Sequence, residues 1–237
     1  MRIVILFLKF IKTLTPPIVW DNLKRLKNSF KKYYSLDNLD QKIEKYLNYR
    51  NGFFVELGAN DGINQSNTLY FERNKNWKGL LIEPYLPNYL KCIKNRSKKN
   101  YFFCNACVSF NYKKAFVKLI YNNLMTISFG VESDLRNQDY VGNRKLIFGS
   151  PATTLNKLLQ KANAPKKIDL LSLDVEGGEI EVLKGINHKN FRFKLICVEA
   201  RNIKKIKKYL NSFNYELKEK LSSGDYLFAD KCMNKLA

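Results

Sequence analysis

An α/β fold with a mostly parallel seven-stranded sheet, helices on both faces, is predicted by three features of this 237-residue chain. Short apolar runs at Phe53–Val55, Leu80–Ile82, Ile168–Leu173 and Leu195–Val198 have the character of strands buried on both faces. Segments with helical spacing separate most of them, the rhythm of βαβ units. The first run passes into a glycine-containing turn, Phe53-Phe54-Val55-Glu56-Leu57-Gly58-Ala59-Asn60-Asp61-Gly62. Gly58 lets the backbone turn tightly there, beyond the carboxyl end of a strand, where such sheets bind ligands.

The spacing Gly58-x-x-x-Gly62 differs from the G-x-G-x-x-G of a dinucleotide site, and Glu56 and Asp61 would repel phosphate. Acids here suit a ligand with a cationic end and free hydroxyls. S-adenosylmethionine (SAM) has both, and the Glu-x-Gly-x-x-x-Gly order resembles motif I of class I SAM-dependent methyltransferases. Trp77 to Glu83 reads as the second strand; Glu83 lies where such folds place an acid on ribose hydroxyls, and Pro84 ends the strand.

Taken in order, residues 1–50 form a helical extension and 51–237 the catalytic domain. Ile3 to Leu8 is apolar but too short to span a bilayer, and Pro16-Pro17 stops any helix. Leu23, Leu26, Phe30 and Tyr33 then recur at helical spacing between lysines and arginines, a basic amphipathic helix suited to an anionic membrane. A helix is expected over Leu39–Tyr49, a crossover helix over Asn67–Arg73 and another over Tyr85–Arg96. Tyr101–Cys104 is a third strand. Small residues follow it, and Ala106 leaves room for a flat adenine while Asn105 bonds its edge. Ala115–Ile120 and Lys145–Phe148 are strands of an insertion, with Ser128–Asn143 a long loop between them. Ala152–Leu155 caps a helix ending before Pro165. Strand Ile168–Asp174 runs into the acid-rich Val175–Glu179 and a further helix, and Leu195–Glu199 is the next strand. Ile203, Ile206, Leu210 and Phe213 mark a basic helix, and Tyr215–Leu217 with Asp225–Ala229 make a closing hairpin.

The ordered segments Phe53–Gly62, Gly79–Pro84, Asn105–Ser109, Ile168–Glu179, Val182–Ile186, Ile196–Glu199 and Gly224–Ala229 resemble the FkbM family of SAM-dependent methyltransferases. The resemblance covers roughly residues 51–230. It implies SAM as cofactor, bound by Glu56, Gly58, Asn60, Asp61, Gly62, Glu83, Asn105, Ala106 and Asp174. It also implies O-methylation of sugars or other hydroxyl-bearing metabolites. With the Pro-Pro amphipathic N-terminus the chain resembles members from bacterial surface-polysaccharide clusters, where a sugar hydroxyl is the expected acceptor.

Transfer from a sulfonium needs an aligned hydroxyl and removal of its proton. Asp174 is the first candidate base and Glu199 the second. No resident metal is expected, although Asp174, Glu176 and Glu199 also form a carboxylate set that suits a divalent cation. His188, the only histidine, reads as a solvated turn residue. A net charge of +21 favours an anionic partner, such as RNA, lipid or acidic glycan. RNA methylation is therefore the enzymatic alternative, though no recognised RNA-binding module is present. A membrane-attached scaffold without activity is the non-enzymatic one. Five irregularly spaced cysteines read as buried free thiols of a reducing cytosol. A cytoplasmic enzyme, peripheral at the inner face of the membrane and serving a lipid-linked glycan acceptor, is the expected setting.

Overall fold

The structure, a computed structural model, describes residues 32–122, 125–129 and 146–233. Ile3–Leu8, Pro16-Pro17 and most of the expected amphipathic helix lie outside the described residues. Of that helix's apolar residues, Tyr33 is described; its ring lies 4.8 Å from that of Tyr70, and its hydroxyl donates to Glu44.

Helix α1 (Leu39–Glu44) leads into β1 (Phe53–Leu57), followed by α2 (Leu69–Lys75), β2 (Lys78–Ile82), α3 (Leu86–Asn95) and β3 (Tyr101–Phe103). An insertion carries β4 (Ala106–Cys107), β5 (Phe116–Asn122), β6 (Met125–Phe129) and β7 (Leu146–Thr153). Then come α4 (Leu155–Lys161), β8 (Lys167–Leu173), α5 (Glu179–Leu183), β9 (Arg192–Glu199), α6 (Ile203–Asn211), β10 (Tyr215–Lys220) and β11 (Asp225–Asp230). The main sheet has seven strands in the order β10-β11-β9-β8-β1-β2-β3. It is mixed: β11 runs antiparallel to β9 and β10, while β1, β2, β3, β8 and β9 pair in parallel. The insertion forms a second sheet, β4-β7-β5-β6.

Alternation along β1 divides the core into two layers. Phe53, Val55 and Leu57 pack with residues of α4, α5 and α6. Phe54 points the other way, with residues of α1 and α2. Ile43 and Leu47 are fully buried in that second layer, so residues just before β1 belong to the packed body. The helix expected to reach Tyr49 ends at Glu44, because the chain tightens: Tyr46 and Leu47 donate to the carbonyls three residues back, Ile43 and Glu44. Thr154 caps α4, accepting from the Lys157 amide. Ala152 and Thr153, expected beside it in the cap, instead end β7, which pairs with β4. Strand β6 takes the first residues of the expected Ser128–Asn143 loop; the rest of that loop lies outside the described residues.

Glu56 shares the Phe54 face of β1 and is buried. Its carboxylate accepts from Ser66 Oγ, the Asn67 amide and Thr68 Oγ1, and pairs with Arg96 at 3.1 Å. Arg96 is itself buried and donates in addition to Glu72 Oε2, the Gly62 carbonyl, Ser66 Oγ and Thr68 Oγ1. Burial alone would lower the guanidinium pKa; the charges of Glu56 and Glu72 outweigh it and raise it.

His188 is not solvated. It is 3% exposed, its ring lies 4.4 Å from that of Phe213, and Nε2 sits 3.3 Å from the Leu183 carbonyl. The polar turn Asn187–Asn190 concealed this, because Tyr209 of α6 and Phe213 just beyond that helix cover the ring. All five cysteines are free, but only Cys92 and Cys197 are buried; Cys104 and Cys107 are partly buried and Cys232 exposed. No helix among the described residues is long and apolar enough to cross a membrane.

Two stability outcomes follow. Removing Arg96 leaves the buried Glu56 and the partly buried Glu72 without their opposite charge, so Arg96→Ala loses about 3–5 kcal/mol in urea unfolding. Arg96→Lys recovers little, since an ammonium cannot reproduce the guanidinium fork; a lysine variant as stable as wild type would refute this account of the cluster. Burial pushes the His188 pKa from 6.5 to about 4, so folding favours the neutral ring. Its contribution is intact above the unfolded value and is lost as pH falls from about 6.5 to about 4. Across that window wild type should lose up to about 3 kcal/mol relative to His188→Gln. Parallel pH profiles for the two proteins would refute it.

Candidate functional site

The site is built where β1, β2, β8 and β9 end. Gly58 has φ +76°, and a Cβ there would lie 1.9 Å from the Asp174 carbonyl, so the β1 turn passes against the end of β8 with no room for a side chain. The Gly58 and Ala59 amides both donate to the Ile82 carbonyl at 3.1 Å, which ties the turn to β2. The Asp174 amide donates to the Leu57 carbonyl and ties β8 to the same point.

A cavity of ≈ 350 Å³ opens over these strand ends. That volume lies within the roughly 300–1,000 Å³ of small-molecule sites. Gly58, Asn60, Glu83, Asn105, Ala106, Asp174 and Glu199 all line it. Glu56, Asp61 and Gly62 do not. Glu56 is turned into the core by the alternation of β1 and is taken up by Arg96. Asp61 accepts from the Ile63 and Asn64 amides and shapes the turn. Gly62, at φ +80°, packs on Arg96 and Cys92.

The β2 end of the cavity is organised by Glu83. It is 4% exposed, and its two oxygens accept from the Asn60 and Tyr85 amides at 2.9 Å each. Asn60 is held at φ 48°, which aims its amide at Glu83. Burial raises the Glu83 carboxyl to about 7 despite those two bonds, and Asp61 adds to the rise. Each oxygen retains acceptor capacity, so a hydroxyl donor facing the cavity would find a ready partner. Beside it, Asn105 donates to the Pro151 carbonyl, which fixes its amide at the cavity wall.

The β8 and β9 ends hold a carboxylate cluster. Asp174, Glu176 and Glu199 each offer an oxygen, all within 4.8 Å of one another. Asp174 is exposed at the cavity, although protein atoms crowd around its carboxylate. Desolvation, then the charges of Glu199 and Glu176 and a hydrogen bond to Glu199, hold its pKa well above the ordinary range. Glu176 rises to about 7, through burial and Glu199, with Arg201 opposing at 3.8 Å. Arg201 thus sits against Glu176 rather than pairing with Glu199. Glu176 is at φ 55°, and Glu179 Oε1 accepts from the Val175 and Gly177 amides, pinning the loop that presents these acids. Burial lifts Glu179 itself to about 7. Three hard oxygen donors so close also suit a divalent cation, which would relieve the repulsion as a proton does.

Glu83 and Glu199 sit on strands three positions apart, so the cavity separates them by about 14 Å at the usual inter-strand spacing. A ligand with hydroxyls at one end and a cation at the other matches that donor set: Glu83 for the first, the acid cluster for the second. Sequence reasoning missed several lining residues. Asn64 and Gln65 come from the turn after Gly62, Asn88 from α3, Glu181 from α5, and Val117 and Leu119 from the insertion. Gln65, at φ 60°, belongs to a loop without periodicity, and the β5 residues reach the cavity only because β4 and β7 fold that sheet over it.

Comparison with known proteins bears on this arrangement. Residues 56–226 match the family described as the methyltransferase FkbM domain. Comparison with curated proteins finds no match. The match takes in the sheet from β1 to the start of β11 and every acid of the cavity, on a class I methyltransferase fold. The chain belongs to the FkbM methyltransferase family.

Proposed function

We propose that the protein transfers a methyl group from SAM to a hydroxyl of a sugar in a surface-glycan intermediate. The observation that carries this reading is the pairing of Glu83 and the Asp174–Glu199 cluster at opposite ends of one cavity. Glu83 and Asn60 would hold the ribose hydroxyls, with Asn105 and Ala106 beside the adenine. Bound SAM supplies an electrophilic methyl group on a sulfonium. The acid cluster favours that cation and accepts the proton the acceptor hydroxyl must lose. Burial and the neighbouring acids raise the Asp174 pKa, which makes it a stronger base once it is ionised. Glu176, opposed by Arg201, and Glu181 line the same cavity and are placed to orient hydroxyls of the acceptor. A glycan acceptor suits this polar wall better than RNA, because five acids line the cavity and repel a phosphate backbone. Attachment through residues 1–34 to the inner face of the membrane would bring the enzyme to a lipid-linked acceptor.

The reading sets two expected outcomes. Calorimetry with SAM should give binding to wild type and about 10–100-fold weaker binding to Glu83→Gln, the loss of hydrogen bonds to a charged acceptor. Equal affinity in a folded variant would remove Glu83 from the ribose. Asp174→Asn should lower turnover on a glycan acceptor at saturating SAM by about 10²–10⁴. In wild type the base form appears only as pH rises through the raised Asp174 value, so turnover should climb with pH above the ordinary carboxylate range. The variant should lose that ascending limb. A fall of wild-type turnover on chelation, restored by Mg²⁺, would assign the cluster to a cation instead.

A further inference from the structure

The helix α3 buries Asn88 and Cys92 on one side, but its apolar residues Leu86, Leu90 and Ile93 are 54%, 56% and 39% exposed. Their spacing of four and three residues sets them in one stripe along the helix. Single exposed apolar residues are ordinary; a stripe of three on one helix marks a contact surface. Lys91 and Lys94 are exposed beside the stripe, and Lys98 and Lys99 follow the helix end. No Asp or Glu occurs anywhere from Pro84 to Val131. Arg96, the remaining basic residue of this helical region, is buried among Glu56 and Glu72 and so contributes nothing to the surface.

We propose that this face of α3 docks on an anionic lipid surface, with Leu86, Leu90 and Ile93 in the headgroup boundary and the lysines on its charge. An apolar stripe flanked by lysines is the chemistry of an interfacial helix. A second copy of the chain fits poorly, because a two-fold contact would set the same lysines against one another with no acid on the helix itself to answer them. A nucleic acid would use the lysines but leave the aliphatic stripe in water. The surface belongs to the folded domain and draws on no residue before residue 35. It also bears on access: Pro84 and Asn88, at the start of this helix, line the cavity, so docking by α3 brings the cavity close to the lipid.

Flotation of the full-length protein with phosphatidylglycerol-containing and pure phosphatidylcholine vesicles at about 150 mM salt tests this. Wild type should float with the anionic vesicles only. Leu90→Glu/Ile93→Glu, which alters exposed positions, should keep its melting temperature and partition at least about tenfold less. Lys91→Glu/Lys94→Glu should weaken binding by a similar factor at that salt and less at high salt. The proposal is overturned if wild type does not float. It is equally overturned if both variants float like wild type, which would assign binding to the N-terminal segment. Wild type eluting as a dimer that Leu90→Glu/Ile93→Glu converts to monomers, without vesicle binding, would overturn it in favour of a second copy.

Discussion

The turn that shapes the cavity depends on a buried ion cluster that does not itself line the cavity. Arg96, at the end of α3, holds Glu56 of β1, Glu72 of α2 and the Gly62 carbonyl together. Ser66 and Thr68 complete both partners, so each charge is matched by hydrogen bonds as well as by its opposite. The loop from Gly62 to Thr68 has no regular structure of its own to define it. Its course is set because several of its polar groups end on this one cluster. Asn64 and Gln65, which project from that loop into the cavity, inherit their positions from it.

The second constraint is the contact between Gly58 and the Asp174 carbonyl. It draws the ends of β1 and β8 together and leaves space only above them. Acids then accumulate around that space: Glu83 from β2, Asp174 and Glu176 after β8, Glu199 from β9 and Glu181 from α5. Burial and mutual repulsion raise the pKa values of Glu83, Asp174 and Glu176. The cavity is therefore electrostatically unsettled by itself and favours whatever supplies positive charge or donor hydrogens. A chain with a net charge of +21 thus keeps an anionic interior behind a strongly cationic exterior.

Much of the arrangement was legible in the sequence, because its signals are local. Apolar runs buried on both faces announced the central strands, Gly58 announced the turn, and acids at strand ends announced Glu83, Asp174 and Glu199. Each depends on one residue's own backbone or on its place at the tip of a strand. Other features depend on partners far away along the chain. Glu56 looked like a ligand acid by motif, but pleating sends it to the face opposite Val55, where Arg96 awaits it forty residues later. His188 looked solvated until α6 covered it. Val117 and Leu119 enter the cavity because a second sheet folds across the strand ends.

The sequence by itself determined the α/β class, the strand that carries the site and most of its acids, since periodicity and turn chemistry act within a few residues. Only the tertiary structure decided which acids face the cavity and which brace the core, which loop residues join them, and which apolar helix face is left uncovered. Those outcomes depend on the side of each strand and helix that another element happens to bury, and on charges brought within a few ångströms by packing rather than by spacing.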